Sequence, residues 1–518
     1  MSSRSSTSNC VSSVNDSLAE SPPPPWNHLP PELLCRVFWY LVDLTLPTNP
    51  MAETASLRDL ITVTHVSRWW REAALAASEL WSRVLITRTS LTAPDQLRAF
   101  LERSGTQPLD VFQCGVSRER VASLLGVLVP YYESRLRSLS WTFADKLLPK
   151  SIVARFPSPA PHLEKLELIL GGTGTLRIPQ LFGGQIPRLR ELSLCRVHPG
   201  SANRFRGLTF LALSQIHIDP GLVPLLEILH DSPLLLDLAL DSIRTGSAPP
   251  GEADRPPIPL RHLKRLHLAN FQPQHTVRLL QTLELPMGVA MRFTDACGGT
   301  RSPPVPFPPE LSLQTTTKFE IIFPPMQHVI YHSISPHAQT RIELTSGTRQ
   351  LVDFSWIFKR LFRGKSPVIK ELWIFAYRTT MYEIGPLHLL DSLETLVVQK
   401  NPEHSCHIDL YASLSPMRSP DRPWKVPCPH LTTLDLSVNR DDRLRLLGLL
   451  KDRAAAGSKL KTLRLLRSQI PQPHVASFSG CVDVLELLDE HERPRRMGLP
   501  EVCLEVGGNW WKPWGHDF

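Results

Sequence analysis

Along most of this chain apolar and polar positions alternate inside a six-residue pattern, L-x-x-L-x-L. It occurs as "LRSLSW", "LEKLEL", "LRELSL", "LTFLAL", "LLDLAL", "LKRLHL", "LQTLEL", "IKELWI", "LETLVV", "LTTLDL" and "LKTLRL". The central leucines are Leu139, Leu166, Leu192, Leu211, Leu238, Leu266, Leu283, Leu372, Leu396, Leu434 and Leu463. Alternation of this kind places the leucines on one face of a short strand and the intervening residues on the other. Most steps between copies are 24 to 29 residues, and the gap from 283 to 372 holds two weaker copies, "TTKFEI" around Phe319 and "QTRIEL" around Ile342. One such strand cannot bury its leucines alone, whereas stacked copies share a continuous core.

A helical period governs the N-terminal part. Residues 1–25 are Ser-rich and end in "SPPPP", just before Trp26, which predicts a disordered tail. Pro30 and Pro31 suit a helix's first turn, Glu32 complements its dipole, and Leu33, Leu34, Val37, Phe38 and Leu41 recur at helical spacing. After the loop "DLTLPTNPMAETA", Ser56 with Asp59 resembles a capping box. Val63, Val66, Trp70, Ala73 and Ala77 then share one face of a second predicted helix, and "SELW" brings in Leu80 and Trp81 before the β-prone "RVLIT". Three short helices have little core area of their own, so a bundle of this size calls for a partner or for something to cap.

"LPPELLCRVFWYL", "VTHVSRWWREAAL" and "ELWSRV", in this order, resemble the F-box of the fungal F-box-like family. The resemblance implies docking on the Skp adaptor of a cullin-RING ubiquitin ligase. Its adaptor-binding positions would be Leu29, Pro30, Leu33, Val37, Phe38, Val66, Trp70, Leu80 and Trp81. Trp69 departs from the family's basic or polar residue, which leaves open which indole is core. The other reading of this segment is a three-helix cap over whatever follows.

The six-residue copies, in turn, resemble the leucine-rich repeat family across residues 131–480. An asparagine that would ladder the turns occurs in "LTTLDLSVN" at Asn439 and at few other copies, so an irregular solenoid is expected. Residues flanking the leucines would line a concave target-binding face: Lys165, Glu167, Asp237, Asp241, Arg265, His267, Trp373 and Phe375. Trp373 and Phe375 are either interface anchors or core beneath a loop.

Composition narrows the choices. The 518 residues carry a net charge of +8 without a long basic run, and the densest cluster, Arg493, Arg495 and Arg496, is read as a solvated loop. The 9 cysteines form no CxxC pair, which favours reduced thiols; "HSCH" at 404–407 is read as a surface loop. No secretory h-region and no membrane-length apolar run is present, so a cytoplasmic or nuclear location is expected, with no membrane and no nucleic acid as partner. Among the 49 prolines, "GSAPPGEADRPPIP", "RSPPVPFPPE" and "SPMRSPDRPWKVPCP" read as loop insertions. "GGTGT" at 171–175 lacks the context of a phosphate loop, and GxSxG, HExxH and DxDxG are missing, so neither an enzyme nor a cofactor is expected. "NWWKPWGHDF" is read as a cap over the last repeat rather than a ligand cage.

These readings combine into an α/β repeat solenoid of irregular leucine-rich repeats preceded by a small three-helix F-box-like domain. The divisions are a tail at 1–25, the helical domain at 26–86, a connecting or capping segment at 87–130, the array at 131–480 and a C-terminal cap or tail at 481–518. The expected function is the substrate-recognition subunit of a Skp/cullin/F-box ligase, holding an unknown target through its repeats. The alternative is a repeat scaffold without a ligase.

Overall fold

The computed structural model describes residues 29–41, 53–87, 91, 93–115, 118–128, 131–143, 158–172, 174–178, 180–200, 202–246, 255–295, 315–323, 328–335, 338–345, 368–376, 387–400, 410–419, 422–439, 442–494, 496–505, 510–511 and 514. The expected disordered tail, "HSCH" and "RSPPVPFPPE" lie outside them, as do most of the loop after residue 41 and parts of the other proline-rich stretches. The chain forms two compact units, Met1–Leu109 and Asp110–Phe518.

The first unit is helical: α1 (Pro31–Leu41), α2 (Glu53–Val66), α3 (Arg68–Ala76), α4 (Ser78–Trp81) and α5 (Pro94–Arg103), with the short strand β1 (Arg83–Ile86) before α5. Leu34 and Phe38, one turn apart on α1, are fully buried together with Leu60, Val63, Ala74, Leu80 and Trp81. The single helix expected from Ser56 to Ala77 is broken at Ser67. Ser67 adopts an extended conformation and its hydroxyl accepts the Trp70 amide at 3.1 Å, capping α3. A serine oxygen competing for a backbone donor is what makes this residue type a helix starter rather than a helix interior. Trp81 is pinned by its indole N–H, which donates to Ala74 O at 2.8 Å, and by edge-on contact with Phe100.

The second unit is built on a large, mostly parallel sheet of a kind compatible with a repeat-type α/β fold, and among the described residues it does not close into a barrel. Its strands are β2 (Leu109–Gln113), β3 (Leu136–Phe143), β4 (Lys165–Leu170), β5 (Glu191–Cys195), β6 (Phe210–Ser214), β7 (Asp237–Asp241), β8 (Arg265–Ala269) and β9 (Val289–Thr294). They continue as β10 (Lys318–Phe323), β11 (His328–Ile334), β12 (Ala338–Thr345), β13 (Glu371–Ala376), β14 (Thr395–Lys400), β15 (Thr433–Leu436), β16 (Thr462–Leu466) and β17 (Val484–Leu488). From β3 to β9 neighbours in sequence pair in parallel, as they do from β13 to β17.

Register puts the pattern's leucines in columns. Leu139, Leu166, Leu192, Leu211, Leu238 and Leu266 stand side by side, and the column resumes at Leu372, Leu396, Leu434 and Leu463. All are buried. Helices such as Val223–His230, Pro273–Thr282 and Asp442–Ala455 supply some of the crossovers that parallel pairing requires.

The middle departs from the expected order. Strands β10, β11 and β12 form an antiparallel meander entered from the far side: β12 pairs β9, and β10 pairs β13. The connections at 324–327 and 335–337 are too short for crossovers, so these strands pair antiparallel. Phe319 lies in the leucine column, but the column position on β12 is Thr340, and Ile342 sits two residues on. The copy around Leu283 is not a strand of this sheet. Leu283 follows the helix 273–282 and pairs with Ile258 in a separate two-stranded ladder, while β9, with Met291 and Phe293 inward, takes the place in the stack. The last strand, β17, lies beyond residue 480.

A turn that the sequence does not advertise follows several strands. Arg196, Gln215, Ser242, Asn270 and Asp295, each the first residue after its strand, all have φ between 49° and 58°. Their amides donate to carbonyls of the neighbouring strand in the sheet, to the last residue at Ser214, Asp241, Ala269 and Thr294 and to Glu343 two residues before the end of β12, at 2.7 to 2.9 Å. The ladder is made by backbone, so side-chain identity is free to vary. Asn439 serves otherwise: its side chain accepts the Asp442 amide and caps the helix 442–455.

Left-handed backbone costs an L-residue about 1–2 kcal/mol, and only glycine escapes it. Ser242→Gly should raise the denaturant midpoint and Ser242→Val should lower it, by about 1–2 kcal/mol between them. Both substitutions lose the hydroxyl's bond to Asp241, so their difference reads the backbone alone.

Candidate functional site

Each unit presents one candidate surface. On the first, α1 is apolar on two adjacent faces: Leu34 and Phe38 point inward, while Leu33 (47% exposed) and Val37 (38%) point to solvent. Pro30 and Val66 are exposed as well, and Leu29 and Trp70 are half-buried, with the Trp70 ring 5.2 Å from that of Phe38. Phe38, Leu80 and Trp81 must be corrected: they are core, at 0%, 0% and 1% exposure, and offer a partner no contact surface. Helical spacing could not separate them because both faces of the stripe are apolar. Exposed Trp69 beside half-buried Trp70 settles which indole faces out, and Tyr40, Ile61 and Leu75 join the exposed apolar set without having been singled out by spacing.

On the second unit, register places Lys165, Glu167, Asp237, Asp241, Arg265, His267, Trp373 and Phe375 on one face of the sheet, opposite the leucines. Many of them already have partners. Lys165 pairs with Glu191 at 2.9 Å, Glu167 accepts from Ser140 at 2.6 Å, Asp237 is bidentate with Arg265, and Asp241 accepts from Asn270 at 3.0 Å.

Across this face runs the chain's own C-terminal segment. Arg493 inserts its guanidinium between Asp435, on β15, and Ser437. Pro494 O accepts from Gln399 of β14 at 2.7 Å. Met497 packs with Trp373, Phe375 and Val397, and its amide donates to Glu320 at 3.1 Å. Cys503, Trp511 and Trp514 then cover Ala290 on β9. Trp514 stacks on His332 with centroids 5.3 Å apart, and its carbonyl accepts from Arg341 and Arg496, each at 3.1 Å.

Three expectations are corrected by this segment. Trp373 and Phe375 are core beneath Met497, at 7% and 4% exposure, and not surface anchors. Trp511 and Trp514 lie on the middle of the sheet instead of over its last strand. Arg493 is buried and hydrogen-bonded, and Arg496 is half-buried, so neither belongs to a solvated loop. Nothing in the local pattern of 490–514 reveals this, because the contacts join positions far apart in the chain.

Electrostatics beneath the segment follow from burial. His332 is fully buried and its Nδ1 lies 2.5 Å from Glu320 Oε2; burial lowers its pKa despite that carboxylate. Burial pushes the Glu343 carboxyl up, but Arg341 and Arg292 together outweigh it and hold it below its usual range. Desolvation raises the Asp435 carboxyl against Arg493, and pushes the Cys503 thiol up to about 12.

His267 is pushed down to about 4, first by burial and then by Arg292, against Glu343, Asp241 and the Trp510 backbone. The unfolded chain takes up this proton near pH 6.5 and the folded chain only near 4. The contribution of neutral His267 is therefore complete above the unfolded value and is lost as pH falls from 6.5 toward 4. Between pH 7.5 and 5 the wild type should lose about 2 kcal/mol more unfolding free energy than His267→Asn, measured by denaturant titration at both pH values.

Comparison with known proteins bears on the first surface. No curated protein matches the chain. A family model described as F-box-like matches residues 26–87, the stretch that contains α1 to α4, β1 and the exposed apolar set. The N-terminal unit of this chain therefore carries an F-box-like domain.

Proposed function

We propose that this protein is the substrate-recognition subunit of a Skp/cullin/F-box ubiquitin ligase. The observation that carries this reading is the apolar surface on the F-box-like domain, where Leu33, Val37, Ile61, Val66, Trp69 and Leu75 stand exposed over a separately buried core. F-box domains generally bind Skp-type adaptors, and these side chains are the ones such an adaptor would cover. Each of the larger aliphatic chains contributes roughly 1.5–3 kcal/mol when fully buried.

The second unit is, in this reading, an irregular leucine-rich repeat array that holds a target protein. The 24 to 29 residue steps and the leucine columns support it. Through the adaptor a cullin would be reached, and the target's lysines would be brought close to a charged ubiquitin carrier. The chain contributes proximity, not catalysis. Among the described residues no helix is long and apolar enough to cross a membrane, and a cytoplasmic or nuclear site of action suits a partner of this kind.

The test is co-purification of the full chain with a Skp-type adaptor, comparing wild type with Leu33→Glu/Val37→Glu. Both side chains are solvent-facing, so circular dichroism and melting should stay unchanged while adaptor binding falls by about a hundredfold or more. A folded wild type that fails to retain the adaptor, or a double variant that binds as wild type does, would overturn the proposal. Phe38→Ala should instead lower the melting point, because that ring is core.

A further inference from the structure

The C-terminal segment crosses β15, β14, β13 and β10 in reverse chain order before it reaches β9. Among the described residues it does so without joining the sheet as a strand; its hold there is a series of side-chain seats with isolated backbone bonds between them. Two of those seats have definite chemistry. One is a guanidinium pocket, with the carboxylate of Asp435 and the hydroxyl of Ser437 both receiving Arg493. The other is an apolar seat made by the stacked rings of Trp373 and Phe375 together with Ile322, Ile330 and Val397, against which the unbranched side chain of Met497 packs four residues later.

The fit is incomplete elsewhere. Buried polar atoms without a hydrogen-bond partner gather at this interface: Arg493 Nε, Trp511 Nε1 and Trp514 Nε1 on the segment, His332 Nε2 and Gln339 Oε1 on the sheet. With its Nδ1 proton directed to Glu320 and the ring neutral, His332 offers Nε2 as an acceptor, and Gln339 Oε1 is an acceptor too. Two indole donors stand at the same interface as these two acceptors without meeting them. A buried group left without a partner costs about 1–3 kcal/mol, so these positions weaken the hold of the segment.

We propose that this face is a peptide-docking site that the chain's own C-terminus occupies in exchange with extended segments of a target that carry an arginine four residues before an unbranched apolar side chain. This rests on the reading of the second unit as the target-holding part, and it names the kind of target. A tethered segment acts at an effective concentration of order millimolar, so a free peptide meets a face that is mostly closed, and its apparent affinity is reduced by the open fraction.

The probe is a fluorescein-labelled peptide of residues 491–500, "HERPRRMGLP", titrated into the full chain and followed by anisotropy. Arg493→Ala/Met497→Ala, which loosens the tethered copy, should bind it at least tenfold more tightly than wild type, and adding Asp435→Ala should remove that gain. In the unaltered full chain, hydrogen exchange of amides 493–503 should be faster than that of β13 and β14, because the segment opens without the sheet unfolding. The proposal is overturned by a folded double variant that does not bind the peptide, or by segment amides as protected as those strands; if the double variant does not fold, the exchange measurement decides. Adaptor co-purification does not depend on these residues. Loss of the peptide result leaves the ligase reading standing, and peptide binding by a chain that holds no adaptor leaves the docking site without a ligase.

Discussion

Everything in the second unit depends on keeping its leucine columns in register. A strand of five or six residues presents two or three leucines on one side, and those leucines are buried only when the next strand sets its own directly beside them. Leu166 beside Leu192, Leu192 beside Leu211 and Leu211 beside Leu238 repeat this without a slip. The left-handed turns at Arg196, Gln215, Ser242 and Asn270 serve the same end, because each hands its amide to the neighbouring strand's terminal carbonyl and so ends the two strands together. Strain in the turns is tolerated because register is worth more than the strain costs.

Register also decides what the other face looks like. Once the leucines are aligned, the intervening residues are aligned as well, and Glu167, Ser193, Ala212, Ala239, His267 and Arg292 become neighbours although they are spread over more than a hundred residues of sequence. The meander β10–β12 does not interrupt that row. It continues through Arg341, His332, Glu320 and Trp373, and there the C-terminal segment settles. The middle of the face is therefore a layer of protein rather than bare sheet, with a buried histidine, paired carboxylates and arginines between the two.

The F-box-like domain solves a different problem with the same kind of residue. Its helices are too short to bury everything apolar that they carry, and α1 directs Leu34 and Phe38 inward while leaving Leu33 and Val37 outside. An apolar surface beside a separately buried core suits the docking role proposed for this domain. Mutations on the two sides of α1 consequently differ: those at Leu34 and Phe38 report on folding, and those at Leu33 and Val37 test the proposed binding.

Much of this was legible in the residues themselves. Alternation within L-x-x-L-x-L determined the strands and their inward face, because a period of two permits one burial pattern only, and the proline-led helix followed by "ELW" determined the helical start. Boundaries that depend on a single competing hydrogen bond were not legible, as at Ser67, nor was the strand at 289–294, whose Met291 and Phe293 fill leucine positions without leucine. Which of two apolar faces is core, as for Phe38 against Val37, was left to tertiary packing, since local period is the same for both. The seats of Arg493, Met497 and Trp514 were decided by tertiary structure alone: their partners lie 58, 124 and 182 residues away, at Asp435, Trp373 and His332, and no local pattern encodes contacts of that range.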